Sequence, residues 1–412
     1  MTPFGQSTHF ANSRLHLGVC GSVACCKAPE LLRAWRALGI HVSVTLTAGA
    51  RRFVTPLLFE SLGAAPVYTD MFAPGQEVFA HLEPGQHAQA LVLAPASADA
   101  LSRLAAGAAS DLLSAQALAF DGPLILAPAM NPRMWAHPAT RANTALLRER
   151  GARLVAPACG GTACGDQGEG RLAELPEIFL AVLQALAPQD MAGKKVLVTL
   201  GPTREAWDGV RFWSNPSSGL MGAALAICAW LRGAEVTAVC GPGGAALLPQ
   251  GVHRCEVCGA RDMFEAARDL WPGMNMGMFA AAVADFSPIP LGARKFKKSE
   301  APEGFSIAFT PNPDILQTLA AARRNGPDAQ KILGFAAECA PSTEALLPLA
   351  RAKLARKKAD LLAANQINAP ACGFCSPTNS MAVVDAHGRE EIWPSQSKAD
   401  VAWELCSWLL RI

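Results

Sequence analysis

The sequence predicts an α/β protein with two parallel-sheet domains. In two stretches of the 412-residue chain, a short apolar strand runs into a turn of small residues and then into a helical pattern; they begin at Leu15 and Lys194. Uninterrupted apolar runs at residues 91–93 (LVL) and 124–126 (LIL) are typical of strands that helices cover on both faces. Both halves are therefore predicted to be doubly wound, Rossmann-like domains.

Each half opens with a β-α-β pattern. In the first half the strands are predicted at residues 15–20 (LHLGVC) and 40–47 (IHVSVTLT), with an amphipathic helix between them. In the second half the opening run at residues 194–205 (KKVLVTLGPTRE) is followed by a helix-like run at residues 219–242 (GLMGAALAICAWLRGAEVTAVCGP), whose end is another strand. Ligands of such sheets bind where strands end, so the loops after the strands are where we expect the chemistry.

The boundary between the halves follows a closing helix. Residues 175–187 (LPEIFLAVLQALA) form that predicted helix, and a joint containing proline and glycine follows at residues 188–193. We therefore expect domains at residues 1–190 and 191–412.

Composition excludes several classes of protein. Hydrophobic residues make up 51% and charged residues 17% of the chain, a balance that disfavours disorder. The net charge of +2 is too small for a nucleic-acid surface or a polybasic membrane surface, so we expect neither partner. No apolar run approaches the roughly 18 residues that cross a bilayer. The polar N-terminal stretch lacks the pattern of a secretory signal.

The cysteines indicate the compartment. There are thirteen of them, an odd number, scattered along a long chain, which fits reduced thiols in a cytoplasmic enzyme better than a disulfide framework. Cys255 and Cys258 have the spacing of zinc ligands but lack a second cluster at suitable distance, so a structural metal is not expected.

Small and polar residues follow the strands of the first half. Gly21 and Ser22 lie in a turn whose backbone N–H groups could approach an anion at a helix N-terminus. Thr47 follows the second strand, and Ser97 and Asp99 follow the LVL strand. Each feature also has a plain structural explanation, because such turns are ordinary β-α connections and Ser97 or Asp99 would cap a helix.

Two later motifs are more specific. Asn131 lies in the run LAPAMNPRMW, directly after a buried strand, and offers both a donor and an acceptor to a polar ligand. Cys164 lies in GGTACGDQGEGR, where five glycines among twelve residues indicate a mobile flap. A cysteine on such a flap is either incidental or delivers a proton or nucleophile to a covered substrate.

Together these motifs resemble the phosphopantothenoylcysteine decarboxylases, a family of homo-oligomeric, FMN-dependent cysteine decarboxylases. The matching strings occur in the family's order; they are GSVACCK (21–27), HLE (81–83), APASAD (94–99), PAMNPRMW (128–135) and GTACGDQGEGR (161–171). The resemblance implies a flavoprotein-type decarboxylase domain that forms trimeric units with flavin sites between subunits.

The resemblance also implies residue roles. His81 matches the catalytic histidine, Asn131 would hold the substrate carboxylate, and Cys164 would donate the proton to the ene-thiol intermediate. FMN would oxidise the substrate thiol to a thioaldehyde, which allows carbon dioxide to leave, and the reduced flavin would then return the electrons, so that no net oxidation occurs. The implied FMN contacts are Gly21, Ser22, Thr47, Ser97 and Asp99. Cys20 and Pro84 depart from the family pattern.

Basic runs distinguish the second half. RKFKK (294–298) and RAKLARKK (351–358) would ordinarily be solvated faces. Lys353 and Lys357, however, are four residues apart on a predicted helix, so both could meet one triphosphate, with a divalent ion sharing the task.

The second half resembles phosphopantothenate–cysteine ligase over residues 193–410, and the order decarboxylase then ligase is that of the fused family. The resemblance implies a nucleotide-dependent ligase with dimeric units, which activates 4′-phosphopantothenate with CTP and Mg²⁺ (or Mn²⁺) and joins it to cysteine. Asn215 would contact the acyl-cytidylate, and Lys295 would be needed to form it. The implied nucleotide contacts are Ala281, Asp285, Lys295, Phe335, Lys353 and Lys357.

Three departures in the second half are Gly209 in place of a proline, Leu220 in place of a basic residue, and Pro377 in place of an acidic one. The missing basic residue at position 220 keeps open a fusion in which one half is inactive. A flavin-binding electron-transfer protein is a second alternative, disfavoured by Asn131 and Cys164. An NAD-dependent oxidoreductase is disfavoured because no G-x-G-x-x-G follows the first strand. The sequence thus favours a bifunctional enzyme that acts on small molecules.

Overall fold

The computed structural model describes residues 3–72, 78–161, 165–300, 303–326, 328–367, 376 and 378–412. The chain forms two compact units, one spanning Thr8–Ala187 and the other spanning Pro188–Ile412 together with residues 3–7. These first residues were expected in the first domain. They join the second because Phe4 is buried and the Ser7 hydroxyl donates a hydrogen bond to Asp400 Oδ1 at 3.2 Å.

The first unit is built around a six-stranded sheet. Its strands are β1 (Arg14–Val19), β2 (His41–Leu46), β3 (Val67–Tyr68), β4 (Ala90–Ala96), β5 (Leu124–Pro128) and β6 (Arg153–Leu154). A separate antiparallel hairpin consists of β7 (Ala158–Gly161) and β8 (Gln167–Arg171). The helices are α1 (Ala28–Arg36), α2 (Pro56–Ser61), α3 (Glu83–His87), α4 (Ala98–Ala106), α5 (Leu112–Leu118), α6 (Pro132–Ala136), α7 (Pro138–Glu149) and α8 (Leu175–Leu186).

All neighbours in this sheet are parallel, in the order β3-β2-β1-β4-β5-β6. The strand order reverses between β1 and β4, and a doubly wound sheet binds its ligand beside such a point. The strand pattern of the sequence is confirmed, since every residue of β4 is buried, as a strand between two helix layers requires. On α1 the apolar stripe Leu31, Leu32 and Trp35 is buried while Arg36 is exposed.

The second unit contains an eight-stranded sheet and two small ribbons. The strands are β9 (Lys195–Leu200), β10 (Arg204–Ala206), β11 (Phe212–Ser214), β12 (Glu235–Cys240), β13 (His253–Glu256), β14 (Met276–Phe279), β15 (Phe286–Pro288), β16 (Phe309–Pro311), β17 (Lys331–Glu338), β18 (Leu361–Gln366), β19 (Thr378–Asp385) and β20 (Glu390–Ser397). The helices are α9 (Leu220–Leu231), α10 (Ala260–Leu270), α11 (Ile315–Ala321), α12 (Leu346–Lys357) and α13 (Lys398–Arg411).

The order in the large sheet is β13-β12-β9-β14-β17-β18-β19-β20, parallel up to β18 and antiparallel for the last two strands. One apolar core lies beneath α10, α11 and α12, around Trp271, Leu319, Ile332 and Leu362. Strands β10 with β11, and β15 with β16, form the two antiparallel ribbons. In the described part of the chain, no helix combines the length and apolar character needed to cross a membrane.

Candidate active sites

The first unit contains a cavity of about 670 Å³ at the carboxyl ends of its central strands. Gly21, Thr47, Ser97 and Asp99, which sequence analysis assigned to the cofactor, all line it. Ser22 does not line this cavity. Its hydroxyl instead accepts a weak hydrogen bond from the Ala24 amide at 3.4 Å at the start of a 3₁₀ turn.

Backbone forms one wall of this cavity. A Cβ added at Gly21 would lie 2.9 Å from Gly49 Cα, so the turns after β1 and β2 touch through their main chains. The hydroxyls of Thr47 and Ser97 accept hydrogen bonds from the amides of Ala50 and Ala100, each at 3.2 Å. The helix-capping explanation is therefore correct for Ser97, which is the N-cap residue of α4, and both hydroxyls remain at the cavity surface.

Two charged residues that sequence analysis did not select complete this wall. Arg103 forms ion pairs with Asp99 at 2.9 Å and with Asp111 at 2.8 Å, and all three side chains line the cavity. The four-residue spacing of Asp99 and Arg103 on α4 was the available signal. Cys20 is buried beneath the site, and burial raises the pKa of its thiol to about 12, so it is a neutral packed side chain.

A second cavity of the first unit, of about 660 Å³, is lined by Ser22 and Asn131. Asn131 caps α6: its Oδ1 accepts from the Arg133 amide at 2.8 Å, and its Nδ2 donates to Asp166 Oδ2 at 2.6 Å. The Met130 amide donates to the Gly170 carbonyl at 2.9 Å, which fastens the β7–β8 hairpin to the turn after β5. The predicted flap is thus a β-hairpin. Cys164, between its strands, lies outside the described residues.

His81 lines neither of these cavities. It is half-buried just before α3, and its ring centroid lies 6.4 Å from that of the exposed Phe79. The carbonyl of the preceding residue, Ala80, accepts a hydrogen bond from the buried Gln116 amide at 2.9 Å. The segment that carries His81 is therefore fixed from the interior of the unit.

The second unit contains a cavity of about 670 Å³ at the carboxyl ends of β9, β14, β17 and β18. Most residues that sequence analysis assigned to the ligase line it: Asn215, Ala281, Asp285, Phe335, Lys353 and Lys357. Lys295 does not line the cavity. The loop before α9 lies across one side, because Asn215 Nδ2 donates to the Val283 carbonyl at 3.0 Å.

Both lysines of this cavity are paired with carboxylates, of which Asp314 also lines the cavity. Lys353 forms an ion pair with Glu338 at 3.0 Å, and Lys357 pairs with Asp314. Both lysines lie on one face of α12, as their spacing predicted. Asp314, in the run NPDI at residues 312–315, was not among the residues that sequence analysis selected. A phosphate group would compete with these carboxylates for the ammonium groups.

Leu220, the departure from a basic residue, lines the cavity at the start of α9. The amide of the preceding residue, Gly219, donates a hydrogen bond to the Ser217 hydroxyl at 3.2 Å. Pro377 lies outside the described residues. Within the described ranges, no three His, Cys, Asp or Glu side chains converge as a metal site, and each described cysteine is a free thiol.

Two family models match the chain. Residues 4–187 match the model described as Flavoprotein, and residues 191–412 match the DNA/pantothenate metabolism flavoprotein C-terminal domain. A Vibrio vulnificus protein described as Coenzyme A biosynthesis bifunctional protein CoaBC is 37% identical over 396 residues, covering 96% of each chain. The protein of that description from Mycolicibacterium smegmatis is 43% identical over 365 residues, covering 87% of each chain.

Among solved structures, the FMN-dependent cysteine decarboxylase SpaF is similar to the first unit. It covers 43% of this chain and 99% of its own, with 34% identity and a TM-score of 0.38.

Proposed function

The chain belongs to the family of coenzyme A biosynthesis bifunctional proteins, and on that premise we propose how each of its two units acts. It is a bifunctional enzyme with a decarboxylase and a phosphopantothenate–cysteine ligase activity. We assign decarboxylation to residues 1–190 and ligation to residues 191–412, and we place the enzyme in the cytoplasm.

The ligase unit activates a carboxylate with a nucleotide. An amide does not form from a free carboxylate, because the departing oxygen is a poor leaving group. A carboxylate oxygen of 4′-phosphopantothenate attacks the α-phosphorus of CTP and pyrophosphate leaves. The amine of cysteine then attacks the acyl carbon of the cytidylate, CMP leaves, and the amine loses a proton.

The observation that carries this proposal is the convergence of residues from distant parts of the chain on one cavity. Lys353 and Lys357 would bind the triphosphate, while Ala281 and Asp285 would contact the cytidine. Proteins usually bind a magnesium ion through one or two carboxylates, substrate phosphate oxygens and water. The carboxylates of Asp285 and Asp314 in this cavity would suit such an ion. Asn215 would contact the acyl-cytidylate.

The decarboxylase unit has a cavity that fits FMN. Its volume of about 670 Å³ is that of a cofactor site, and the Gly21–Gly49 contact lets backbone amides approach an anionic phosphate. Thr47, Ser97 and Asp99 would complete the contacts. The chemistry that FMN supplies when bound is a reversible electron sink at the substrate thiol, which allows carbon dioxide to leave.

The remaining roles in decarboxylation fall to three residues of this unit. The Asn131 amide would bind the substrate carboxylate in the second cavity, and Cys164 would return a proton to the ene-thiol. His81 would act on the substrate from a neighbouring subunit. That arrangement accounts for a residue that lines neither of the two cavities described for the first unit, yet lies beside the exposed ring of Phe79.

Exposed apolar side chains support oligomers of both units. In the first unit Phe72 is 87% exposed, with Leu57 and Phe79 also open to solvent, and a trimer would cover them. In the second unit Phe212 and Trp213 on β11 are about half exposed, and a dimer would cover them.

One incubation tests the whole proposal. Purified protein is mixed with 4′-phosphopantothenate, cysteine, CTP and magnesium, and the products are followed by mass spectrometry. We expect pyrophosphate, CMP, carbon dioxide and 4′-phosphopantetheine. Phosphopantothenoylcysteine that accumulates with no gas would contradict the decarboxylase assignment. A mixture in which CTP stays intact would contradict the ligase assignment.

A further inference from the structure

We propose that Asp208 is a positioning residue of the ligase, whose buried carboxylate holds the segment that carries Lys295. The Lys295 segment is defined here as residues 291–297. The proposal rests on the proposed ligase function only for the role of Lys295; the attachment itself stands on geometry.

The carboxylate of Asp208 has no exposed surface and accepts hydrogen bonds on both oxygens. Oδ1 accepts from the amides of Val210 at 2.8 Å and Arg211 at 2.6 Å, which closes the turn between β10 and β11. Oδ2 accepts from Arg211 Nη1 at 2.8 Å and from the Phe296 amide at 3.1 Å. One side chain therefore joins this turn to a residue 88 positions away.

The carboxylate is charged at neutral pH. Burial alone would raise the pKa of Asp208, but the three backbone donors and the Arg211 guanidinium outweigh it and hold the pKa below its usual value. Hydrogen bonds to an ionised acceptor are stronger than those between neutral groups, so the link to Phe296 is worth more than an ordinary backbone contact.

Further contacts fasten the same segment to the same turn. The Leu291 amide donates to the Trp207 carbonyl at 2.6 Å, and the Gly209 amide donates to the Arg294 carbonyl at 3.2 Å. The rings of Trp207 and Phe296 lie 5.3 Å apart.

Gly209, which stands where the ligase family has a proline, is explained by these contacts. A proline there would lack the N–H that bonds Arg294. A Cβ added at Gly209 would lie 2.1 Å from the Ala293 carbonyl oxygen. The segment and the turn are thus in direct main-chain contact, which any side chain at this position would break.

Lys295 depends on these attachments. Both of its neighbours are held, Arg294 through its carbonyl and Phe296 through its amide and ring. Lys295 itself is exposed and forms no ion pair with any residue that the structure describes. Because no ion pair with a described residue holds its ammonium group, the position of that group depends on the main chain of the residues on either side.

The test measures steady-state pyrophosphate release from CTP and 4′-phosphopantothenate by the full chain, with saturating cysteine present. Asp208→Asn replaces one accepting oxygen with an NH₂ group, and since both oxygens face N–H donors, either orientation of the amide sets a donor against a donor. Since misplacing a catalytic group by about 1 Å costs roughly 100-fold, we expect kcat to fall by about that factor while the KM for CTP changes little. Asp208→Glu keeps the charge and should recover part of kcat. Gly209→Ala should lower kcat without altering the carboxylate.

Trypsin gives a second readout that does not depend on activity. Arg294, Lys295, Lys297 and Lys298 are cleavage sites in or beside the segment, and we expect Asp208→Asn and Gly209→Ala to speed their cleavage. Asp269→Asn, which alters an exposed ion pair on α10, is the matched control. Decarboxylation of phosphopantothenoylcysteine by the same variants reports that the first unit remains folded.

Unchanged kcat and unchanged trypsin cleavage in Asp208→Asn would overturn the proposal. So would an equal fall in kcat for Asp208→Glu and Asp208→Asn together with normal cleavage, because the segment would then still be attached. If the natural protein releases no pyrophosphate, the proposed ligase function fails. The cleavage rates would still decide whether Asp208 holds the segment.

Discussion

The Nε2 atom of His16 lies 3.0 Å from Thr45 Oγ1, and both side chains are buried inside the first sheet. Thr45 donates its own proton to Gln116 Oε1 at 2.7 Å, so its oxygen must accept from His16 Nε2–H. The other ring nitrogen of His16 then accepts from Ser43, whose Oγ is 2.7 Å away. This network requires a neutral imidazole, and burial lowers the pKa of His16 to about 3.

The pKa of His16 predicts a pH dependence of stability. The folded-state pKa lies below the usual value of 6.5, so the unfolded chain binds a proton between these values while the folded chain does not. The contribution of His16 to the free energy of unfolding is therefore constant above about pH 6.5. Below that pH it falls, by up to about 1.4 kcal/mol per pH unit. Urea unfolding of the first unit between about pH 7.5 and about pH 5 measures this slope.

His16→Asn should flatten that slope, although it lowers stability at neutral pH by removing two hydrogen bonds. His41→Asn is the matched control, since His41 is exposed at the start of β2. A slope that persists in His16→Asn but disappears in the control would contradict the assignment.

Gln116 links this network to the segment that carries His81. We therefore expect replacement of its side chain to lower the stability of the first unit. Gln116→Leu removes the acceptor of the Thr45 hydroxyl proton and the side-chain donor to the buried Ala80 carbonyl. Each unpaired group costs about 1–3 kcal/mol, so we expect about 3 kcal/mol less stability of the first unit in urea unfolding. Gln86→Leu on the exposed face of α3 is the control. A loss below about 1 kcal/mol would mean that water or a local shift satisfies both groups.

The strands could be predicted, and so could the positions of the candidate site residues that directly follow them, because both depend on local pattern. An apolar run marks a buried strand, and a polar residue directly after it lies at the ligand-binding edge of the sheet. Thr47 and Ser97 were placed at a cavity in this way, whereas Asn215 and Asp285 were assigned through the resemblance to the ligase family.

Contacts between distant segments could not be predicted. Thr45 and Gln116 are 71 residues apart, and Asp208 and Phe296 are 88 apart, so no periodicity relates them. His16 looked like any histidine in an apolar strand, and only the sheet brings it next to Ser43 and Thr45.

Asn131 is predicted to be essential for decarboxylation. Asn131→Asp would place a carboxylate against that of Asp166, now 2.6 Å from Nδ2, and against the substrate carboxylate. We expect kcat/KM for phosphopantothenoylcysteine to fall at least about 100-fold, or about 2.7 kcal/mol of transition-state stabilisation. The flavin absorbance should stay, since the cavity assigned to FMN is a different one. Asn143→Asp on α7 is the control. Normal turnover would show that Asn131 only caps α6.

Lys357 is predicted to bind the nucleotide triphosphate in exchange for its ion pair with Asp314. Lys357→Met removes the cation while keeping the length of the apolar stem, and it leaves Asp314 as an uncompensated negative charge in the cavity. A lost charge-assisted contact of about 1.5–3 kcal/mol corresponds to a KM for CTP raised by about 10- to 100-fold, with a weaker salt dependence of binding. The exposed neighbour Lys358→Met is the control. If Lys357→Met and Asp314→Asn combined restore the natural KM, the lysine serves only to neutralise that carboxylate. If the double variant keeps the raised KM, Lys357 contacts the phosphates themselves.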